Sequence, residues 1–176
     1  MNALATVAAG SQLLVAAAFV SIPVLRARVG DRAKVAAKAE LRRQGARDTV
    51  LEENGMRFDA SGHETWAPVS IAALVAVLAG LNFFGNSWGP LLTWIFQSLV
   101  LLGNGVILYS QLTAAQSVRA AFERKGDPSL KLIDVPALLK AAEDAFPAWT
   151  RVLQNVRHTV VFAGSALAVA VTALAA

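Results

Sequence analysis

The sequence contains no cysteine, and its charged residues are confined to two segments. The absence of cysteine excludes disulfides, thiolate metal ligands and cysteine nucleophiles. Charged residues are also absent from three long runs, residues 1–25, 65–118 and 159–176. Pumps and ion-coupled transporters normally carry ionisable side chains at mid-depth in the membrane, so these runs argue against both classes of protein.

The composition is that of a membrane protein. Of the 176 residues, 56% are hydrophobic and 16% are charged, whereas a soluble domain has about 45–50% and about 25%. The positive charge follows the first apolar run instead of preceding it. This order predicts a retained first span rather than a cleaved signal peptide.

The uncharged run 65–118 is too long for one membrane-spanning helix. Its 54 residues would extend about 80 Å as a helix, against a hydrocarbon core of about 30 Å. The sequence GNSWGP at 85–90 therefore predicts a turn outside the membrane between two spans. The predicted fold class is all-α, a polytopic membrane protein with four transmembrane helices and two helical cytoplasmic segments. In order, these are the first span (1–25), a basic segment (26–64), the second and third spans (65–113), a second charged segment (114–155) and the fourth span (156–176).

The distribution of basic residues predicts the orientation. Both charged segments carry more Lys and Arg than Asp and Glu, and an excess of positive charge marks cytoplasmic loops. We therefore expect an integral cell membrane protein, in the inner or plasma membrane, with both termini and the 85–90 turn outside. Eight basic residues fall within 24–47, called here the basic stretch. The basic stretch is expected to anchor the inner end of the first span, with an added role in binding anionic lipid headgroups as the alternative. Candidates for that role are Arg26, Arg28, Arg32 and Lys34.

Nucleic acid is not a predicted partner of the basic stretch. No aromatic side chain is interleaved with its basic residues, and acidic residues such as Asp31 and Glu40 dilute the charge.

The first cytoplasmic segment is expected to continue as a helix over residues 33–54. Gly45 could interrupt this helix and Gly55 could end it. Its apolar face is thin, so we expect a solvated or partner-facing helix rather than part of a core.

The second cytoplasmic segment predicts an amphipathic helix over residues 135–146, capped by Asp134. Such a helix could lie along the inner membrane surface, pack on the other charged segment, or simply connect two spans. It could also dock a partner protein through its apolar side chains. The residues proposed for docking are Leu138, Leu139, Phe146 and Trp149.

Small residues recur at every fourth position in the second and fourth spans. The two sets are Ala72, Ala76 and Gly80, and Gly164, Ala168 and Thr172. Such faces let helix backbones approach closely in lipid. They predict either a tight bundle or docking onto the helices of another protein.

The third span carries a line of polar residues on one face. Its members are Thr93, Gln97, Asn104 and Gln111, at spacings of four and seven residues. An amide in hydrocarbon needs a hydrogen-bond partner, so this face should turn inward, with Gln12 and Asn82 as possible partners. The line predicts interhelical hydrogen bonding. The alternatives are a polar pocket for a quinone, a lipid or a small solute, and a pore lining.

No catalytic site, cofactor or metal centre is predicted. His63 and His158 are weak candidates for ligating haem or a metal, because two helices could each present one imidazole. The run 59–64 contains Ser, His and acidic residues, but neighbours in a loop rarely face one another as a triad must. A quinone remains the other cofactor that the polar line could bind.

These observations predict a non-catalytic integral membrane protein, an accessory or scaffolding subunit of a larger membrane complex. Its expected partners are membrane lipids and other membrane protein subunits. One alternative is a carrier or binding protein for a lipophilic ligand, a lipid or a quinone. The other is a small self-assembling pore, similar in behaviour to a holin.

Overall fold

The structure is a computed structural model that describes residues 3–58 and 62–175, without the side chains of His63, Glu64 and Ala175. Within these residues the chain forms helices and no strand. Four helices are long and apolar enough to cross a membrane, which confirms the predicted all-α class with four candidate spans. The helices are α1 (Ala3–Arg43), α2 (Val50–Glu53), α3 (His63–Phe83), α4 (Gly89–Leu112), α5 (Ala114–Lys125), α6 (Pro128–Lys131), α7 (Val135–Asp144) and α8 (Trp149–Ala175), with the candidate spans in α1, α3, α4 and α8.

The chain divides into two compact units. Unit 1 comprises Met1–Pro23, Gly62–Ile107 and Arg151–Ala176. Unit 2 comprises Val24–Ser61 and Leu108–Thr150. The charge-poor parts of the sequence therefore form one unit, and the two charged segments supply most of the other.

The four helices of unit 1 run in alternating directions. One cavity is lined by Leu4 near the start of α1, by Asn86 in the turn between α3 and α4, and by Val171 near the end of α8. These three places therefore meet at one end of unit 1, called here the turn end.

Small residues bring α8 close to α1 within unit 1. A Cβ added to Gly164 would lie 2.9 Å from Val15 Cγ2 and 3.3 Å from the carbonyl oxygen of Ser11. Ala168 and Thr172, one and two turns further along α8, are buried as well. This small-residue face of α8 therefore packs inside unit 1. On α3 the corresponding face is mixed, because Ala72 is buried, Ala76 is exposed and Gly80 is half-buried.

Unit 2 has a hydrophobic core of its own. Ala33, Ala37 and Leu41, spaced four residues apart on α1, are completely buried. They pack in one cluster with side chains of the second charged segment, including Phe122 and Leu138. The expectation of a solvated or partner-facing helix was wrong here. Alanine contributes little apolar area by itself, but it lets the larger side chains of a neighbouring segment pack closely.

The first charged segment is helical in two pieces. The helix α1 ends at Arg43 and the short α2 begins at Val50. Gly45 and Gly55 follow the two pieces with φ of 72° and 64°, values at which glycine avoids the strain that a side chain would cause. The interruption at Gly45 is thus a helix end.

The helix α7 begins where its sequence predicts. The side chain of Asp134 accepts a hydrogen bond from the backbone N–H of Ala137 at 3.1 Å, which satisfies one of the free donors of the first turn. The helix ends at Asp144 rather than at residue 146, because Pro147 disfavours a helical conformation for the residue before it. Among the predicted arrangements, α7 packs on the other charged segment within unit 2.

Candidate functional site

The polar line of α4 lies mostly inside unit 1. Thr93 and Gln97 are completely buried and Asn104 is 3% exposed. Gln111 is exposed and belongs to unit 2. The inward face therefore extends from the first turns of α4 to Asn104.

Three helices meet at a cluster of hydrogen bonds formed by Gln12, Asn82 and Thr93, called here the Asn82 cluster. Asn82 Nδ2 donates to Gln12 Oε1 at 3.0 Å and to Thr93 Oγ1 at 2.7 Å. Gln12 Nε2 also donates to Thr93 Oγ1 at 3.0 Å. All three side chains are at most 4% exposed, so these bonds replace water as their partner. Gln12 and Asn82 are the two partners that were predicted from the sequence for the polar line, and both bond to Thr93.

A second contact joins α4 to α8. Gln97 Nε2 donates to Ser165 Oγ at 2.7 Å, and both residues are completely buried. Sequence reasoning missed Ser165 as a partner of the polar line. A signal was present, because His158, Ser165 and Thr172 recur every seven residues on α8, the same spacing that separates Gln97 from Asn104.

Two buried polar atoms of α4 have no hydrogen-bond partner in the part of the chain that the structure describes. They are Gln97 Oε1 and Asn104 Nδ2. On α4 they are separated by Val100, which packs with Val15 and Val161 in an apolar cluster of unit 1. The polar line is thus interrupted by apolar packing, and each of the two atoms needs its own partner, because burying an unsatisfied polar group is costly.

His158 is buried in α8 and contacts its neighbour in sequence. Its Nε2 lies 3.2 Å from Arg157 Nη2. Because arginine can only donate, this contact is a hydrogen bond in the tautomer whose Nε2 carries no proton. The side chain of His63, the other weak candidate for ligation, lies outside the described residues, as does most of the run 59–64. Among the side chains that the structure describes, which exclude those of His63 and Glu64, no group of three or more His, Asp or Glu could hold a metal ion.

The cavity at the turn end of unit 1 was not anticipated from the sequence. It has a volume of about 240 Å³, and Asn82 and Thr172 are the buried polar residues among those lining it. The remaining polar residues are exposed positions of the turn between α3 and α4. Its residues come from three distant parts of the sequence, so no local motif marks it.

The candidate residues for lipid headgroups differ in their surroundings. Arg28 and Arg32 are exposed, whereas Arg26 and Lys34 are half-buried. Lys34 Nζ lies 3.5 Å from Glu52 Oε1, which also pairs with Lys38 Nζ at 2.7 Å. The two exposed arginines are therefore the more accessible members of this set.

The four residues proposed for docking are divided between core and surface. Leu138 is completely buried in the core of unit 2, and Leu139 and Phe146 pack against that core. Trp149 is 56% exposed. Trp149 is accordingly the member of the set that can meet another molecule without a rearrangement of unit 2.

Ion pairs lower the pKa of several carboxyl groups on the surface of unit 2. Hydrogen bonds from Arg42 hold the pKa of Asp48 below its ordinary value of 3.8. The pKa of Asp127 is lowered first by hydrogen bonds from Ser129 and then by Arg47, whose guanidinium lies 3.0 Å from both Asp127 Oδ2 and Glu53 Oε2. These groups are exposed, so solvent screens the pairs and each contributes little by itself.

Comparison with known proteins gives no relative. No family model, curated protein or solved structure matches the chain.

Proposed function

We propose that the chain is an integral membrane protein that crosses the bilayer four times. Its exposed aromatic residues support this. Trp88 directly precedes α4 and is 62% exposed. Tyr109 lies near the end of α4 and is 69% exposed. The two residues are 21 positions apart in sequence, which corresponds to about 31 Å of helix and is close to the hydrocarbon thickness of about 30 Å. Aromatic residues of this kind prefer the two membrane–water boundaries.

The proposed orientation places the turn end of unit 1 outside the cell and the segments 26–64 and 114–155 in the cytoplasm. It rests on the positive-inside rule and on the excess of basic residues in both segments. A reporter fused after residue 176 should be active only outside the cytoplasm, and one inserted at 54–61 only inside. Reversed signals would rule out this orientation.

We further propose that the protein is a non-catalytic accessory or scaffolding subunit of a larger membrane complex. The observation that carries this proposal is that unit 2 has a hydrophobic core of its own. Simple connections between spans need no such core. Two charged segments distant in sequence instead form a unit with eleven buried apolar residues. A folded unit outside the bilayer offers a rigid surface on which membrane subunits could assemble.

The first experiment is gentle extraction of the whole chain from native membranes, followed by mass spectrometry of the proteins that purify with it. We expect membrane protein companions in fixed stoichiometry. The variant Trp149→Ala tests the docking side, since Trp149 is exposed at the start of α8. Loss of the companions in this variant would support a contact there.

The matched control is Trp88→Ala. Trp88 has a similar exposure but lies beside α4 at the turn end, so its loss should leave the companions bound. Recovery of the chain alone from native membranes, or only as a homo-oligomer, would contradict the accessory function.

A second candidate function is a carrier for a lipophilic ligand, a lipid or a quinone. It is favoured by Gln97 Oε1 and Asn104 Nδ2, which lack partners in the described part of the chain. The test is Asn104→Leu, because no described hydrogen bond is lost with its Nδ2. Ligand that purifies with the protein should then disappear, while the exposed Gln111→Leu should retain it. Equal amounts in both variants would remove this candidate.

The self-assembling pore stays a prediction that no observation favours. Val15, Val75 and Val161 are almost completely buried in the apolar cluster of unit 1. Leakage of dye from vesicles that contain the purified chain would revive it.

A further inference from the structure

We propose that the cavity at the turn end of unit 1 binds the hydroxyl groups of a neutral amphiphile. This site is independent of the accessory function and of the unpartnered atoms of Gln97 and Asn104. It combines a buried polar floor with apolar walls, and each part limits the chemistry of the molecule that fits.

The floor offers an oriented hydrogen-bond acceptor. Asn82 Nδ2 is engaged by Gln12 Oε1 at 3.0 Å and by Thr93 Oγ1 at 2.7 Å. These two bonds fix the orientation of the amide. Its Oδ1 accepts no hydrogen bond from the residues that the structure describes, and it is not one of the fully buried atoms left without a partner. This oxygen therefore keeps some accessible surface on a residue that is only 4% exposed. A donor from outside the chain, either water or a ligand hydroxyl, can reach it.

Thr172 adds a second acceptor. Its hydroxyl hydrogen is directed to the backbone of α8, where Oγ1 lies 2.8 Å from the oxygen of Ala168 and 3.0 Å from that of Val169. The oxygen of a hydroxyl group can still accept through its lone pairs. The two buried polar side chains that line the cavity thus each carry an acceptor oxygen, and the complementary groups on a ligand are O–H donors.

Gly89 keeps the space beside Asn82 Oδ1 open. A Cβ at this position would lie 2.8 Å from Oδ1 and 3.2 Å from the backbone nitrogen of Asn82. Any side chain at position 89 would therefore crowd the acceptor. Gly89 does not itself line the cavity, so its contribution is to let α4 begin against Asn82 without a side chain in contact with Oδ1.

The lining and the volume of the cavity limit the charge and the size of the ligand. Leu4, Ala5, Pro90 and Val171 supply apolar surface, and none of the described residues that line the cavity is charged. Without a charged partner, a buried ionic group would be strongly disfavoured. The volume of about 240 Å³ is below the roughly 300–1,000 Å³ of sites for drug-sized molecules. It fits a headgroup with two or three hydroxyls rather than a whole lipid.

The hydroxyl groups could belong to a lipid headgroup or to a free polyol. The test therefore uses three probes with the full-length protein in nanodiscs. These are 1-monooleoylglycerol, glycerol alone, and methyl oleate, which carries the same chain without hydroxyls. Native mass spectrometry counts bound probe. We expect saturable binding of monooleoylglycerol and none of methyl oleate at the same concentration.

Two variants and one control locate the site. Ala5→Phe fills the cavity and should abolish binding. Thr172→Val removes one acceptor at constant shape and should weaken binding about three- to tenfold, the effect of one hydrogen bond. Ala17→Phe makes the same change at an exposed position of α1 and should bind as the unaltered chain does.

Each outcome of the binding measurements has a different meaning. If glycerol alone binds with the same sensitivity to the variants, the site is confirmed and its ligand is a free polyol. If methyl oleate binds as tightly as monooleoylglycerol, hydroxyl recognition is disproved. Unchanged binding in Ala5→Phe would disprove the site itself.

Discussion

The two units of this chain achieve cohesion by different physical means. Unit 2 buries large apolar side chains, including Leu41, Phe122 and Leu138, in a core surrounded by exposed ion pairs. In unit 1, small residues allow close approach of α1 and α8, and buried amides and hydroxyls join α1, α3, α4 and α8.

The difference follows from the solvent that each unit is proposed to meet. In water, burying apolar area is the dominant favourable term. Between helices in lipid that driving force is absent, and packing and hydrogen bonds replace it. Unit 1 accordingly keeps large apolar side chains such as Leu99 and Leu102 exposed. Its largest fully buried side chains include the amides of Gln12 and Gln97, whereas those of unit 2 are all apolar.

The largest effect on stability is expected from a substitution that creates a cavity in the core of unit 2. Leu41→Ala removes a completely buried side chain and should lower the free energy of unfolding of unit 2 by about 2–5 kcal/mol. Amide hydrogen exchange of peptides from residues 24–58 and 108–150, measured by mass spectrometry in detergent, reports this change. The control Leu132→Ala alters a residue that is 86% exposed and should change stability by less than about 0.5 kcal/mol. Equal effects of the two variants would mean that unit 2 has no functioning core.

A smaller effect on stability is expected where α8 packs closely against α1 in unit 1. Gly164→Ala places a methyl group 2.9 Å from Val15 Cγ2 and should destabilise unit 1 by about 1–3 kcal/mol. Gly103→Ala is the matched control, because its Cβ would meet nothing within 4 Å. There the higher helix propensity of alanine should stabilise α4 by up to about 1 kcal/mol. Unfolding in mixed micelles with increasing fractions of a denaturing detergent measures both, and the same sign for both would contradict the close packing of α8 on α1.

The hydrogen bond between Gln97 and Ser165 should contribute less to stability than the packing at Gly164 does. A double-mutant cycle with Ser165→Ala and Gln97→Leu isolates it, and we expect a coupling energy of about 0.6–1.7 kcal/mol. Gln97→Leu alone should cost less than the bond suggests, because it also removes an acceptor that has no partner in the described residues. Strictly additive effects would show that Gln97 and Ser165 do not interact.

The smallest effect on stability, counted per carboxyl group, is that of lowering the pH. It should differ between the two units. The pKa values of Asp48 and Asp127 lie below their ordinary value of 3.8 in the folded chain. A carboxyl group of this kind contributes stability that is fully present above the ordinary pKa and is lost as the pH falls through the lowered one. Unit 2 should therefore lose stability below about pH 3.8, whereas unit 1 should not, because every acidic residue except Glu64 belongs to unit 2.

The readout is fluorine NMR with a label on a single introduced cysteine, which the absence of natural cysteine permits. Leu132→Cys reports on unit 2 and Leu102→Cys on unit 1, since both positions are exposed. The same decline at low pH in both labels would refute the assignment of the effect to unit 2.

Much of unit 1 could be predicted from the sequence because its signals are local. Runs without charge predict spans, and the spacing of Thr93, Gln97 and Asn104 predicts one buried face. The partner Ser165 could not be predicted in the same way, since the register between α4 and α8 depends on packing. The cavity was missed for the same reason, because its lining comes from the start of α1, the α3–α4 turn and the end of α8.

Unit 2 shows where local reasoning fails. The cap at Asp134 and the helix end at Gly45 were predictable, because capping and backbone conformation depend on neighbours in sequence. The burial of Ala33 and Ala37 was not, because their partners are about 80–110 residues away in the chain. A thin stripe of alanines looks solvated unless the segment that covers it is known.

The pairing of Gln97 with Ser165 also imposes an order on biosynthesis. Asn82 and Thr93 are 11 residues apart and can bond as soon as α3 and α4 have been synthesised. Ser165 is 68 residues beyond Gln97, a delay of several seconds at about 5–20 residues per second. In the proposed membrane topology, α4 spends that interval in the bilayer with an amide that has yet to meet its acceptor, and the arrival of α8 supplies that acceptor.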